Sequence, residues 1–160
     1  MTPHRIIWHH TADPSPAPQF DKINEAHKAR GFPISKLGYY VGYHFLIEPN
    51  GTIRTARKLD EIGAHDEGEN VNSLGIALAG NFTRQTVDEA QSISAAKLIA
   101  SIRKTIPIPI TRIVPHRWDD ATQCPGKFLS DNWMIENFLA REGSLALRTF
   151  YEIGKKFKLL

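Results

Sequence analysis

The chain has 160 residues, a single cysteine and a formal charge of +3. That length makes one domain able to bury about 70% of its unfolded surface, and one cysteine excludes an internal disulfide, which fits synthesis in a reducing compartment. The excess charge sits at the C-terminal end, where Arg148, Lys155, Lys156 and Lys158 oppose only Glu152; the rest of the chain is balanced, which excludes the basic stripe of a nucleic-acid binder.

The first predicted strand is Arg5–His10. No apolar stretch of about 7–15 residues follows basic residues near the start, so no signal peptide is read, and no run approaches the ~18 apolar residues of a membrane span. Thr11 to Pro18, with three prolines, predicts a loop directly after the strand. A helix from Phe20 to Arg30 places Phe20, Ile23 and His27 on one face and stops at Gly31. Tyr43–Glu48 and Thr52–Leu59 read as strands joined through Pro49-Asn50-Gly51 into a hairpin. Ser73–Gly80 contains an apolar run without alternation, the pattern of a central strand covered on both faces. Thr86-Val-Asp-Glu89 is a capping-box sequence, opening a helix with Ala95, Leu98, Ile99, Ile102 and Ile106 inward and with Pro107 and Pro109 beyond its end. Thr111–Arg117 is the fifth strand, and Leu129 to Arg141 the third helix. Leu147, Phe150, Ile153, Phe157 and Leu160 then recur at helical spacing among basic residues. A basic amphipathic helix either packs on the domain or lies on an anionic membrane or envelope surface. The expected fold is α/β: a single domain over 1–143 with a mixed sheet of about five strands flanked by about three helices, and an amphipathic tail over 144–160. A monomer is expected.

The chemistry lies in three separated places. One of His9 and His10, together with His116 and Cys124, supplies two imidazoles and a thiolate. These fill three corners of a zinc tetrahedron and leave the fourth open, as catalytic zinc requires and structural zinc does not. The two strand histidines point to opposite faces, so one of them faces the metal. The plainer readings are two satisfied strand histidines and a small buried thiol. Tyr43 reads by alternation as a strand aromatic sharing a face with Phe45 and Ile47, with His44 turned away; His27 lies on an apolar helix face and is expected to pack. His65 sits in a loop without apolar periodicity and is expected to be exposed at the groove.

The order of the pieces carries more. Ile6-Ile-Trp-His9-His-Thr-Ala12 is followed by His27-Lys-Ala-Arg-Gly31-Phe32, then by Gly42-Tyr43-His44-Phe45 with Asn50-Gly51-Thr52 and Ala56-Arg57. Next come Gly63-Ala-His65-Asp-Glu-Gly68-Glu-Asn70-Val-Asn72-Ser73-Leu-Gly75, and finally His116 through Thr122 with Cys124, Pro125 and Gly126. Over about residues 5–140 this resembles the zinc-dependent N-acetylmuramoyl-L-alanine amidases of type 2, a family that includes short phage lysis amidases and the peptidoglycan recognition proteins.

The resemblance implies one zinc ion per chain on His9, His116 and Cys124, which selects His9 over His10. It places Tyr43 at the family's catalytic tyrosine and Thr122 at a position held by lysine or threonine in active members. His65 falls near the groove, where it contacts the stem peptide or stabilises the site. The implied reaction is hydrolysis of the amide between N-acetylmuramic acid and L-alanine, with peptidoglycan or muropeptides as partners. A carboxylate in place of Cys124 would resemble the branch that recycles muropeptides inside the host, and a serine a recognition module without catalysis. A phage or prophage endolysin is the expected role, made in the cytoplasm and acting on the wall after release. The segment between Phe32 and Gly42 is longer than in many short phage members.

Overall fold

The computed structural model describes residues 1–142; the predicted tail helix over 144–160 lies outside them. The strands are β1 (Arg5–His10), β2 (Phe45–Ile47), β3 (Ile53–Thr55), β4 (Ser73–Leu78) and β5 (Ile113–Pro115), and the helices are α1 (Phe20–Ala29), α2 (Glu89–Thr105) and α3 (Trp133–Glu142). One mixed sheet has the order β3-β2-β4-β1-β5, in which only the β2–β3 pair is antiparallel. This is the α/β fold expected from the sequence.

The alternation of side chains divides the sheet into two unlike faces. Ile6 and Trp8 of β1 and Leu74, Ile76 and Leu78 of β4 point into the main core, where they meet Leu98, Ile99 and Ile102 of α2 and Met134, Ile135 and Phe138 of α3. On the other face β4 carries only small residues, Gly75 beside Ile7 and Ala77 beside His9, which leaves room for polar side chains there. A second, smaller cluster covers part of that face through Phe20, Val41, Leu46, Ala56 and Ala79. β4 is thus the middle strand with all six residues buried. Each fully buried Leu or Ile contributes about 1.5–3 kcal/mol, so the helix-covered face supplies most of the stability and the other is free to hold buried polar groups.

Gly31, at φ +76°, ends α1. The Phe32 N–H donates to His27 O at 3.1 Å and the Gly31 N–H to Lys28 O at 3.0 Å, the paired bonds of a glycine-terminated helix. The hairpin turn also forms as expected, with Gly51 at φ +84°.

Several boundaries differ from those predicted. β2 begins at Phe45 rather than Tyr43, because His44 is tied to Gly75 of β4 by both backbone and side chain: its N–H donates to Gly75 O at 2.9 Å and its Nδ1 accepts the Gly75 N–H at 3.1 Å. The resulting bend takes Tyr43 out of register with Phe45 and Ile47 and packs it against the smaller cluster. β3 stops at Thr55 rather than Leu59, since Arg57 turns inward to donate to Val41 O, Ile62 O and Pro33 O. β5 ends at Pro115, and His116–Trp118 forms a 3-10 turn. The capping box does not open α2, whose N-cap is Asp88. Val87 packs on the core, and Gln91 donates to Ile47 O and Ala79 O across the ends of two strands. α3 begins at Trp133 rather than Leu129, because Leu129 is buried in the preceding loop and its carbonyl accepts from Arg117 at 2.8 Å. Among the described residues no helix is long and apolar enough to cross a membrane.

Candidate metal centre

β1 and β5 run parallel and deliver His9 and His116 to the same end of the sheet. Open parallel sheets commonly place ligands at the carboxyl ends of their strands. The ligand-type atoms of His9, His116 and Cys124 all lie within 4.8 Å of one another. His9 is 1% exposed; its ring centroid is 4.5 Å from that of His116 and 5.1 Å from that of Tyr43.

The two nitrogens of His9 look in different directions. Nδ1 is 3.7 Å from Cys124 Sγ, and Nε2 is 3.1 Å from Nδ1 of His65. With the proton on Nε2, His9 donates to His65 and keeps an Nδ1 lone pair facing the sulfur. His10 points to the opposite face, where its Nδ1 accepts the Phe82 N–H at 3.2 Å. Only its backbone N–H reaches the site, donating to Cys124 Sγ at 3.4 Å.

His65 is buried, not exposed as its loop composition predicted. The reason lies in two glycines that sequence periodicity does not reveal. A Cβ on Gly75 would stand 2.5 Å from the His65 ring and one on Gly63 2.4 Å from it, so the ring occupies a slot that only glycine leaves open. Asn70 closes the loop beneath it, its Oδ1 accepting the N–H groups of His65 at 2.7 Å and Asp66 at 3.1 Å. Asn70 thereby fixes the backbone that carries both His65 and Asp66.

The Cys124 loop is held through its backbone. The Arg117 N–H donates to Cys124 O at 3.0 Å, and the Cys124 N–H donates to Thr122 Oγ1 at 3.2 Å. The Arg117 guanidinium clasps Asp131, Gly126 O and Leu129 O. Thr122 keeps its hydroxyl hydrogen for another acceptor and opens onto a cavity of about 460 Å³, shared with Arg117, Gln123 and Lys127.

Burial sets the charge states. It pulls His65 down to about 3 and His10, His27 and His44 each to about 4, and holds His9 well below the usual imidazole range. It raises the Tyr43 phenol far above its ordinary value, with Cys124 adding to the effect. It pushes the Cys124 thiol up to about 11, against the His10 N–H and Arg117. At the centre, His9 is therefore a neutral imidazole, Tyr43 a protonated phenol and Cys124 a thiol that needs a cation to ionise. Asp66, unremarked in the sequence, is buried beside His116 and raised to about 7 by burial and then by Asp119 and Asp120.

The family described as N-acetylmuramoyl-L-alanine amidase matches residues 1–127. Peptidoglycan-recognition protein SC2 of Drosophila melanogaster is 30% identical over 122 residues, covering 75% of this chain and 66% of that protein. The endolysin of Enterobacteria phage K11 is 31% identical over 109 residues, covering 65% of this chain and 67% of the endolysin. Among solved structures, the N-acetylmuramoyl-L-alanine amidase LysC from Clostridium intestinale URNW superposes with a TM-score of 0.72 at 34% identity, covering 89% of this chain and 87% of LysC. With the match spanning most of its length, the chain belongs to the N-acetylmuramoyl-L-alanine amidase family.

Proposed function

We propose that the chain hydrolyses the amide between N-acetylmuramic acid and L-alanine in peptidoglycan, using one zinc ion held by His9, His116 and Cys124. The observation that carries this reading is the convergence of two imidazoles and a thiol within 4.8 Å, beside a partly buried tyrosine. The donors fit the metal. Tetrahedral zinc with Zn–N of about 2.0 Å and Zn–S of about 2.3 Å separates N from S by about 3.6 Å, against 3.7 Å between His9 Nδ1 and Cys124 Sγ.

When bound, zinc supplies a Lewis acid that polarises the scissile carbonyl and acidifies a water. The chain's own groups do the rest. Tyr43, protonated by virtue of its burial, donates a hydrogen bond to the carbonyl oxygen as charge develops there. Thr122 offers a second hydroxyl from the Cys124 loop. His65 orients His9 through Nδ1, which is the second of the two roles expected of it, stabilising the site rather than contacting the stem peptide.

Two measurements bear on the metal. His65→Ala is expected to weaken zinc binding by about 10–100-fold, read by competition with a chromophoric chelator. A direct peptide contact would instead raise KM and leave zinc affinity unchanged. Because the thiol stands near 11 in the metal-free protein and His9 is already neutral, Cys124 surrenders its proton on binding. Zinc affinity should then rise about tenfold per pH unit above neutrality, and a flat profile would argue against thiolate ligation.

Digestion of purified sacculi tests the reaction itself. New L-alanine N-termini are the expected product, and reducing ends would indicate a glycosidase. Bound zinc with no new N-termini across several wall types would favour recognition without cleavage, the reading that the similarity to peptidoglycan-recognition proteins supports. The likeness to the K11 endolysin supports a lytic role against the cell wall.

A further inference from the structure

Among the described residues a second set of metal-type donors lies next to the first. Ligand atoms of Asp66, His116 and Asp120 also fall within 4.8 Å of one another. His116 Nε2 is 3.0 Å from Asp120 Oδ2. The three border a cavity of about 310 Å³, together with His65 and Asn70.

Asp66 makes this more than an acidic cluster. It is 3% exposed, and neither carboxylate oxygen has a hydrogen-bond partner. A buried carboxylate without compensation is costly and calls for a counter-charge. Arg5 offsets it only in part: its charge favours the ionised Asp66, but its terminal N–H groups are taken by Glu69 at 2.9 Å and by both oxygens of Asp119 at 2.7 and 3.0 Å. The Asn70 side chain holds the Asp66 backbone, so the carboxylate is presented by an ordered loop. One imidazole with two carboxylates is a donor set suited to zinc, manganese and similar divalent ions.

We propose that Asp66, His116 and Asp120 form a second, weaker site for a divalent transition-metal ion, sharing the His116 imidazole with the first. The proposal rests on the zinc reading only through that shared side chain. Its functional consequence is inhibition by excess metal: an ion on the second site draws on His116, so the first site loses or shares one of its donors.

Cobalt(II) titration of the metal-depleted full chain tests this, because a thiolate ligand to cobalt produces a near-ultraviolet charge-transfer band and carboxylates do not. The wild type should bind two equivalents, the tighter with the thiolate band and the weaker without it. Asp66→Asn with Asp120→Asn should bind one equivalent and keep the band; the exposed Asp120→Asn alone serves as the variant with least effect on folding. Cys124→Ala should lose the band and keep the weaker equivalent. A wild type that binds only one equivalent overturns the proposal, as does a double Asn variant that still binds two. If the band never appears but the second equivalent still depends on the two aspartates, Cys124 ligation fails and the second site stands.

Discussion

Replacing Cys124 with alanine is expected to remove the tightly bound zinc, leaving only the weak equivalent of the Asp66 site, and to abolish amide cleavage, while leaving the fold in place. The sulfur is the only anionic donor of the three, and without it two neutral imidazoles remain, fewer than the three protein ligands typical of catalytic zinc. The loop does not depend on the sulfur for its shape. Its backbone is held by the Arg117 N–H and by Thr122 Oγ1, and Arg117 is anchored in turn on Asp131, Gly126 and Leu129. The sulfur's own contacts are the His10 N–H at 3.4 Å and His9 Nδ1 at 3.7 Å. Losing them costs about 0.5–1.5 kcal/mol each, too little to unfold a domain of this size. Metal analysis after dialysis against equimolar zinc, with thermal melts in chelator, separates loss of the ligand from loss of the fold. Undiminished zinc in the variant would remove Cys124 from the site.

What the sequence disclosed and what it hid follow from range. The hairpin, the Gly31 helix end and the buried middle strand were readable because each depends on residues within a few positions of one another. Cys124 stood out as the single cysteine, whereas His9 and His116 were singled out from seven histidines by the order of motifs that the family resemblance supplies. The environment of His65 was not readable. Its burial depends on the absence of side chains at Gly63 and Gly75, and that absence acquires meaning only when β4 is laid beside the loop. Asp66 and Asp120 were hidden for the same reason, since acidic residues in loops are ordinarily solvated and only the fold brings these two to His116. Strand ends were overestimated where an inward polar side chain, His44 or Arg57, captured backbone groups that periodicity assigns to the sheet.

Tyr43→Phe should lower kcat by about 10²–10³ and leave KM, zinc content and stability nearly unchanged. The substitution retains the ring, and with it the packing against His9 at 5.1 Å, His27 at 5.6 Å and the Phe20–Leu46 cluster; only the hydroxyl is removed. A donor that acts on the charge of the transition state shows in kcat, whereas one that binds the substrate carbonyl equally in the ground state shows in KM. Burial also decides which form of Tyr43 acts. With its phenol held far above the usual value, chiefly by desolvation and then by Cys124, Tyr43 stays protonated across the working range, and the pH–rate profile should show no alkaline limb from it. A general base would need the opposite shift, toward the pH of the reaction. A loss of less than about tenfold in Tyr43→Phe would move the donor role to Thr122, and Thr122→Val would then carry the larger defect. The same desolvation that makes the Tyr43 phenol a poor base strengthens the hydrogen bond it donates to the oxyanion.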